Sequence, residues 1–536
     1  MNDEWWRGAV IYQIYPRSFR DSNQDGIGDL RGIIEKLPYV ASLGVDGIWL
    51  SPFYVSPMAD FGYDVADYCA VDPLFGTLAD FDELVGVAHR LGLKVVIDLV
   101  CAHTSDRHPW FAESRASRGN ARADWYVWAD PRVDGTPPNN WLSVFGGGAW
   151  AWEPRRRQYY LHHFLPSQPK LNLRNEAVLG ALLAVTEFWL ERGVDGFRLD
   201  AVDFLVHDEA LTDNPPFRGL RQPVKPYHMQ QHLYDLGAPG IRPVIEKIRA
   251  FMDRYPGAVS IAEVGSETTD ASSLARAGGY VGEDDRGVHA AYSLSQMKSK
   301  GDAPTLRDAI AEAERAFPRD GLIWAFSNHD VARVTSRWGD GSAAAAKMFM
   351  ALLLSLRGGV FIYQGEELGL PEADVPFERL QDPYGRHYWP DFRGRDGCRT
   401  PMPWCAESEN AGFSNAHTPW LPIPEAHRKL AVSAQECRPD SVLSTSRELL
   451  QLRRKHPALR HGRLDLLDVP PPLLAFRRRA DAECLLCVFN IGSHDAEFIP
   501  PNTRLTPLDG FAAIDGECRI RLPGYGAYIA QEDDSG

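Results

Sequence analysis

The sequence lacks the features that mark membrane-spanning and disulfide-rich proteins. None of the apolar runs in its 536 residues reaches the length needed to cross a bilayer. Its eight cysteines are scattered along a long chain, which argues against a disulfide scaffold. Cys484 and Cys487 form a CxxC pair, but they lie in an alternating apolar stretch without a second pair, so we interpret them as packing residues.

Basic residues are in the minority. The chain has 57 Lys and Arg against 72 Asp and Glu, a net charge of −15, which repels phosphate backbones and anionic lipid surfaces. We therefore expect neither nucleic acid nor a membrane as a partner. The N-terminus, MNDEWWRGAV, is acidic where a signal peptide would be basic, which predicts a cytoplasmic location. With 44% hydrophobic residues the composition is that of an ordinary globular protein.

Short β-branched runs alternate with stretches of helical periodicity, which is typical of βα units and a parallel sheet. Seven runs predict strands and a weaker one, at 289–294, makes eight; the seven are 10–19, 44–52, 93–100, 193–202, 259–264, 322–330 and 358–369. The interval between the third and fourth is too long for one crossover, which predicts an inserted domain at 104–172. At the C-terminal end, short alternating strands predict a β-sandwich at 462–536. Residues 1–103 and 173–461 remain for the βα units.

Polar residues recur where these strands are expected to end. Asp98 and His103 follow the third strand, Arg198 and Asp200 end the fourth, Glu263 ends the fifth, and His329 and Asp330 end the seventh. A single carboxylate at such a place is more often a helix cap or an ion-pair partner. Four carboxylates with an arginine and two histidines at successive strand ends favour an active site.

The motifs around these residues resemble a known enzyme family. DLVCAH (98–103), GFRLDAV (196–202), IAEVG (261–265) and FSNHD (326–330) resemble, in order and spacing, the four signature regions of the α-amylase family of glycoside hydrolases. FGYDVADY (61–68), QPKLNL (168–173) and GRDGCRTPMPW (394–404) resemble its α-glucosidase branch. The resemblance spans nearly the whole chain and implies a (β/α)₈ TIM barrel, a B domain inserted after the third strand and a C-terminal antiparallel β-sandwich.

Carried over by motif, the resemblance implies three acting carboxylates. Asp200 matches the nucleophile, Glu263 the general acid/base and Asp330 the carboxylate that stabilises the transition state. Crowding of three acids should raise the pKa of Glu263, while Arg198 favours the ionised form of Asp200. Such a pair of carboxyl groups suits double displacement at an α-glucosidic bond. We therefore expect a retaining α-glucosidase.

The resemblance also implies a set of substrate contacts. Asp64 and Arg399 are expected to close the pocket around the non-reducing terminal glucose and so to enforce exo attack. Tyr63 would stack on the sugar, Phe164 would form an apolar wall, and barrel-top packing is the alternative for both. The full set is Tyr63, Asp64, His103, Phe164, Arg198, Ala201, His329 and Arg399. Ala102 stands where family members commonly have Asn, a departure that should leave catalysis intact.

Linkage preference depends on Ala201, the residue after the nucleophile. In similar α-glucosidases a valine here goes with α-1,6 cleavage and smaller or hydroxylated residues with α-1,4. QPKLNL gives mixed cues, because its QP start resembles the oligo-1,6-glucosidase form and Lys170 resembles α-1,4-acting relatives. We expect short, maltose-like α-1,4 glucosides to be preferred over isomaltose, with little action on starch.

Two other functions remain open at this point. A transglucosidase or sucrose isomerase would use the same covalent intermediate, but the isomerase branch has an arginine-rich loop where this chain reads ERLQDP. Non-catalytic transporter heavy chains resemble this fold, yet they need a membrane helix and often lose the catalytic acids. Hydrolysis is therefore favoured, with transfer at high sugar concentration; the oligomer is left open as monomer or homodimer.

A metal is predicted in the loop DSNQDGIGD. Its oxygen donors resemble a Ca²⁺ loop and comprise Asp21, Asn23, Asp25, the Ile27 carbonyl and Asp29. Gly32 occupies the place of the acidic twelfth residue of an EF-hand, and the alternative is a solvated Asx-rich turn. We expect a structural Ca²⁺ or Mg²⁺ and no organic cofactor.

Overall fold

Eight parallel strands form the centre of the protein in this computed structural model, which describes residues 4–219, 223–265, 272–481, 483–500, 504–508, 510 and 519–533. They are Val10–Ile14 (β1), Gly47–Leu50 (β2), Lys94–Leu99 (β3), Gly196–Leu199 (β4), Val259–Val264 (β5), Ala290–Ser293 (β6), Ile323–Ala325 (β7) and Gly359–Tyr363 (β8). The sheet order is β6-β5-β4-β3-β2-β1-β8-β7. A parallel bridge between Ala291 and Leu322 joins the outer strands. The predicted barrel is confirmed, including its weaker sixth strand.

Helices surround the strands. The longer ones are Leu30–Leu43 (α1), Leu78–Arg90 (α2), Glu176–Leu190 (α3), Ile241–Met252 (α4), Ser272–Val281 (α5), Ala303–Ala316 (α6), Ala343–Ser355 (α7) and Val442–Lys455 (α8). Shorter ones are Pro109–Ser114, Leu294–Lys298, Val334–Arg337, Pro383–Tyr388, Glu425–Lys429, Val432–Gln435 and Pro457–His461. Helix α1 begins where the Asp29 carboxylate caps the amide of Gly32 and ends at Gly44, whose φ of 91° terminates it.

Strand residues alternate between two hydrophobic clusters because successive side chains point to opposite faces. Ile11, Trp49 and Phe361 belong to the cluster inside the barrel. Tyr12 and Ile48 belong to the larger cluster between strands and helices. The strands are buried on both faces, so polar side chains at their carboxyl ends stand above a filled interior.

A three-stranded antiparallel sheet is inserted between β3 and α3. Its strands are Trp128–Ala129, Gln158–Leu161 and Trp150–Glu153, with Gln158–Leu161 in the middle. All three lie within the predicted range 104–172. Trp141 and Trp150 stack in a small separate core there. The insertion therefore has its own packing and covers the carboxyl end of the barrel from one side.

The C-terminal part is antiparallel, as predicted. Five strands form one sheet in the order Arg463–Leu466, Leu473–Ala480, Glu483–Asn490, Ala527–Asp533, Arg504–Pro507, and Ala496–Phe498 pairs with Ile520–Leu522 in a second. Side chains of both sheets share one hydrophobic cluster. Cys484 and Cys487 are buried in the Glu483–Asn490 strand as free thiols. Within the described ranges no helix is both long and apolar enough to cross a membrane.

Candidate active site

Polar side chains cluster at the carboxyl end of the barrel. Arg198 lies in β4 and Asp200 directly follows that strand, Glu263 is the penultimate residue of β5, and Asp330 follows β7. Because the carboxyl ends of parallel strands meet at one face, these groups lie around a common cavity of about 320 Å³. Asp200, Glu263 and Asp330 line it. The structure thus brings the three sequence-predicted carboxylates together.

A buried guanidinium connects the acids of the cavity floor. Arg198 is 0% exposed, and its Nη1 donates to Asp200 Oδ1 at 2.7 Å and also to Asp98. Its Nη2 forms an ion pair with Glu263, and its Nε donates to the Tyr292 hydroxyl at 3.1 Å. That hydroxyl in turn donates to Glu263 Oε2 at 2.6 Å. Arg198 does not line the cavity, so its role is to orient carboxylates, as the sequence predicts for Asp200.

In this cluster, burial and the charge of Arg198 shift the pKa values of the carboxyl groups in opposite directions. Burial raises the pKa of Asp200 and the nearby Asp330 adds to the rise, while the Arg198 guanidinium lowers it. Burial likewise raises the pKa of Asp98 to about 7 against the pull of Arg198. Removing Arg198 would leave these carboxyl groups without the charge that favours their ionised form.

Asp330 is held in its ionised form by the cations around it. Burial alone would raise its pKa, but the guanidinium groups of Arg395 and Arg399, together with His329 where that ring is protonated, outweigh burial and hold that pKa well below its usual range. Arg395 Nη1 and Arg399 Nη2 both donate to Asp330 Oδ1, at 3.0 and 2.7 Å. Asp330 is therefore a fixed negative charge beside the other two acids.

His329 lies beneath the cavity rather than in it. Its Nδ1 accepts from Gln13 Nε2 at 2.8 Å, so the proton is on Nε2, which lies 2.6 Å from the Tyr63 hydroxyl. Burial lowers the pKa of His329 to about 3, in keeping with a neutral ring. Tyr15 and Tyr63 stack on its two sides, and Tyr63 lines the cavity. His329 is not among the residues that line the cavity, and protein groups contact both of its nitrogens, so the predicted sugar contact of His329 stays a prediction.

Three further sequence-predicted residues do line the cavity: His103, Phe164 and Ala201. His103 donates from Nε2 to the Tyr63 carbonyl at 3.0 Å, and burial lowers its pKa to about 4. The ring of Phe164 lies 5.3 Å from that of His103. Ala201 has a left-handed backbone with φ 46° and ψ 50°.

Asp60 occupies the place that the sequence analysis assigned to Asp64. The Asp60 carboxylate accepts from Arg395 Nη2 at 2.8 Å, and both residues line the cavity. The carboxylate of Asp64 is turned into its own loop, where it accepts from the Ser56 hydroxyl and from the amides of Ala59 and Asp60 at 2.9 to 3.0 Å. Asp64 is 0% exposed and does not reach the cavity, so that prediction is corrected.

Arg399 is replaced at the cavity wall by Arg395, four residues earlier. Arg399 is 1% exposed, and its Nε donates to the His329 carbonyl at 2.6 Å. Arg399 forms an ion pair with Asp330 but does not line the cavity. Arg395 does line it and forms ion pairs with Asp330, Asp60 and Asp382. The predicted pair Asp64–Arg399 is therefore the pair Asp60–Arg395 in the structure.

Sequence reasoning missed other cavity residues, which have no motif around them. Lys225 and His228 lie in the connection between β4 and α4, and Phe145 lies in the inserted domain. Lys225 Nζ lies 4.3 Å from the ring centroid of Tyr384 and 3.8 Å from that of Phe392. In contrast, Asp60 and Arg395 adjoin or lie within the quoted motifs, so a closer reading of those segments could have found them.

The loop predicted to bind calcium is closed by its own hydrogen bonds. Asp21 accepts from the amides of Gln24 and Gly26 at 2.7 and 2.8 Å. Asp29 accepts from the amide of Ser22 at 2.8 Å and also caps α1. These carboxylates are of the type that Ca²⁺ binds, but an ion would compete with amide donors for them.

The remaining predicted ligands are more open. Asn23 and Asp25 are exposed and bond to each other, and the Ile27 amide donates to Asp25 Oδ1 at 2.8 Å. Across the described part of the chain, no group of three or more His, Cys, Asp or Glu side chains is arranged to hold a metal ion. The calcium site stays a prediction.

Comparison with known proteins gives matches over nearly the full length. The family described as "Alpha amylase, catalytic domain" matches residues 13–462. A probable alpha-glucosidase of Rhizobium meliloti is 52% identical over 540 residues, covering 98% of this chain and 97% of the relative. An oligo-1,6-glucosidase of Heyndrickxia coagulans is 37% identical, covering 93% of this chain and 94% of the relative.

A solved structure extends this likeness to three dimensions. The crystal structure of an alpha-glucosyl transfer enzyme superposes with a TM-score of 0.93 at 51% identity, covering 98% of this chain and 99% of the other. The likeness includes the barrel, the insertion and the C-terminal sheets.

Proposed function

Because the chain belongs to the α-amylase family of glycoside hydrolases, among relatives named α-glucosidase and oligo-1,6-glucosidase, we propose that it is a retaining, exo-acting α-glucosidase. It releases α-glucose from the non-reducing end of short α-glucosides. The observation that carries the proposal is the sharing of one guanidinium by Asp200 and Glu263.

The two carboxyl groups divide the chemistry between them. Asp200 attacks the anomeric carbon while Glu263 gives its proton to the leaving oxygen, forming a covalent glucosyl-enzyme. Glu263 then takes a proton from water, which displaces Asp200 from the opposite face. Two inversions leave the α configuration. Asp330, which is held ionised, stabilises the positive charge that develops on the sugar ring.

Retention is supported by the guanidinium group that the two acids share. Retaining glycosidases hold their carboxyl groups about 5 to 5.5 Å apart, whereas inverting ones leave roughly 6.5 to 9.5 Å for a water molecule. Asp200 and Glu263 bond to the two terminal nitrogens of Arg198, which are part of one rigid planar group. The two terminal nitrogens of one guanidinium group lie close together, which favours the shorter separation between carboxyl groups that is typical of retaining enzymes.

Exo action is supported by the ion pair between Asp60 and Arg395. It links the loop before Tyr63 to the segment before Arg399 and forms part of the cavity wall. Asp382, in the ERLQDP segment, accepts from Arg395 at 2.9 Å and holds it there. A wall fixed in this way favours a terminal glucose over an internal unit of a longer glucan.

Preference for α-1,4 linkages is part of the proposal and depends on Ala201, which lines the cavity next to Asp200. The small side chain leaves space beside the nucleophile on the aglycone side. Transfer of glucose to an acceptor sugar is the second candidate, favoured by the TM-score of 0.93 against an alpha-glucosyl transfer enzyme. Both activities share the glucosyl-enzyme and differ in whether water or a hydroxyl displaces Asp200.

The test is a pair of isosteric variants. Asp200→Asn and Glu263→Gln are each expected to lower kcat by several orders of magnitude at an unchanged melting temperature, since each removes one chemical step. Glu263→Gln should be partly spared on aryl glucosides, whose leaving groups need little protonation. Initial release of β-glucose from an aryl α-glucoside, followed by NMR before mutarotation, or equal losses of Glu263→Gln on both substrates would overturn the assignment.

A further inference from the structure

Lys170 places a buried cation against the turn that follows the proposed nucleophile. The residue is 1% exposed, and its Nζ donates to the carbonyl oxygens of Phe204 and Leu205 at 2.6 and 3.0 Å. Within the described ranges it forms no ion pair with a carboxylate. A buried ammonium bound only to neutral acceptors is costly, so its presence calls for an explanation.

The two carbonyls belong to the turn that begins at the nucleophile. Asp200 is followed by Ala201 in the left-handed region and then by the single 3₁₀ turn Val202–Phe204. The amide of Phe204 donates to the Ala201 carbonyl at 2.9 Å, and that of Leu205 to the Val202 carbonyl at 3.1 Å. Lys170 therefore holds the far end of a turn whose near end carries the Asp200 side chain.

The backbone that carries Lys170 is itself fixed. Its amide donates to the Leu161 carbonyl at 2.9 Å, and its carbonyl accepts from Val127 at 3.1 Å. The next amide, of Leu171, donates at 3.0 Å to the carbonyl of Ala102, three residues beyond β3. Lys170 thus extends from the sheet of the inserted domain to the turn after β4, and it is a direct link between the two.

In the described part of the chain, the titratable side chains that interact electrostatically with Lys170 are His103, His163, His207 and Arg174. Burial lowers the pKa of each of these histidines, so they are neutral near pH 7. The Asp60 carboxylate opposes this effect and raises the pKa of His103, and the Asp208 carboxylate does the same for His207. Burial, and after it Arg174, lowers the pKa of Lys170 to about 7. Two buried charges of this interior therefore change near neutral pH, the Lys170 ammonium and the Asp98 carboxyl group that bonds to Arg198, and of the two Lys170 is the one that bonds to the turn after Asp200.

We propose that Lys170 is a positioning residue of the active site: its ammonium fixes the Ala201–Leu205 turn and thereby the direction in which Asp200 attacks. The proposal depends on the proposed role of Asp200. Hydrogen bonds from a charged donor are roughly twice as strong as neutral ones. Loss of the proton weakens both bonds to the turn, and a misplacement of about 1 Å at a reacting group can cost roughly 100-fold in rate.

The experiment measures formation of the glucosyl-enzyme with an activated, fluorinated α-glucosyl fluoride, which traps Asp200 covalently. Mass spectrometry gives the trapped fraction, and fluoride release gives the rate. Fluoride needs little protonation to leave, so Glu263 does not shape the pH dependence. The rate for the wild-type protein should fall as pH rises through about 7, where Lys170 loses its proton.

The variants are Lys170→Met, Lys170→Arg and, as a matched control, Lys347→Met. We expect Lys170→Met to trap fully but roughly 10- to 100-fold more slowly than wild type below about pH 7, with a difference that narrows as the wild-type lysine loses its proton. Lys170→Arg should recover most of the rate and lose the alkaline decline, because a guanidinium stays charged. Lys347 also donates to a backbone carbonyl, that of Asp440, but on the surface, and its variant should behave as wild type.

Several outcomes would overturn the proposal. Trapping of Lys170→Met at the wild-type rate would do so. A slower rate accompanied by an equal loss in the trapped fraction would also do so, because that result means that part of the protein is misfolded and that Lys170 has only a structural role. An alkaline decline retained in Lys170→Arg would also contradict it. If the wild-type protein forms no covalent adduct at all, the proposed function fails instead.

Discussion

Replacement of Ala201 by valine tests whether this position selects the glycosidic linkage. Ala201 lines the cavity directly after Asp200, so the two added methyl groups extend toward the substrate. A steric gate of this kind is worth about 1 to 3 kcal/mol per methylene-sized change, or roughly 10- to 200-fold in rate. We expect the ratio of kcat/KM on maltose to that on isomaltose to fall by at least about tenfold.

Backbone strain is a second effect of the same change. Ala201 has φ 46°, a region that costs residues with a side chain about 1 to 2 kcal/mol and β-branched ones more. This strain lowers the free energy of unfolding and the active fraction, but it acts equally on both substrates. It therefore cancels in the ratio, which is why the ratio and not either rate is the measurement.

The assay uses one preparation of each variant and initial rates of glucose release on both disaccharides. Ala201→Thr is the control, because threonine has nearly the shape of valine, the same backbone strain and a hydroxyl in place of one methyl. If volume alone forms the gate, threonine should lower the ratio as valine does. If threonine instead keeps the maltose preference, as hydroxylated residues do in similar α-glucosidases, the polarity of this side chain selects the linkage. A wild-type preference for isomaltose, or a ratio unchanged in the valine variant, would refute the gate and assign linkage choice to the inserted domain.

Three other predictions follow from single contacts. Asp60→Asn should lower kcat/KM on maltose by roughly 10- to 100-fold, because the variant loses a charge-assisted hydrogen bond to Arg395. Asp64→Asn should mainly lower the melting temperature. The reverse pattern would restore the sequence-based assignment of Asp64 to the cavity wall. Burial lowers the pKa of His108 to about 4, so the stability that its neutral form contributes is complete above about pH 6.5 and is lost as pH falls toward 4. The difference in thermal stability between wild type and His108→Asn should therefore shift by up to about 3 kcal/mol in favour of the variant over that window, and a constant difference would contradict this. Calcium should raise the melting temperature through the 21–29 loop without changing kcat, and no shift on chelation, together with no metal by elemental analysis, would refute that site.

The sequence by itself determined the barrel and the identity of its strand-end acids. Strands of a parallel sheet are buried on both faces and so appear as short apolar runs, which is why all eight could be located. Asp200, Glu263 and Asp330 could be placed together because they lie in or after successive strands, whose ends a closed barrel brings together. Their roles came from motifs that resemble the α-amylase family.

Only the tertiary structure decided which loop side chains reach the cavity. Positive φ angles at Met58, Phe61 and Gly62, of 62°, 49° and 110°, turn the loop so that Asp60 faces Arg395 and Asp64 faces inward. Most side chains disfavour such angles, and the chain adopts them here because surrounding contacts hold it. No local sequence pattern reports that direction.

The same limit applies to Lys170. The sequence marks it only as part of the QPKLNL motif, since its partners lie 34 and 35 residues away on another element. Its bonds to the carbonyls of Phe204 and Leu205 exist because the inserted domain folds back over β4. Strand positions are thus set by local hydrophobicity, whereas the contacts that orient the reacting groups depend on packing between distant segments.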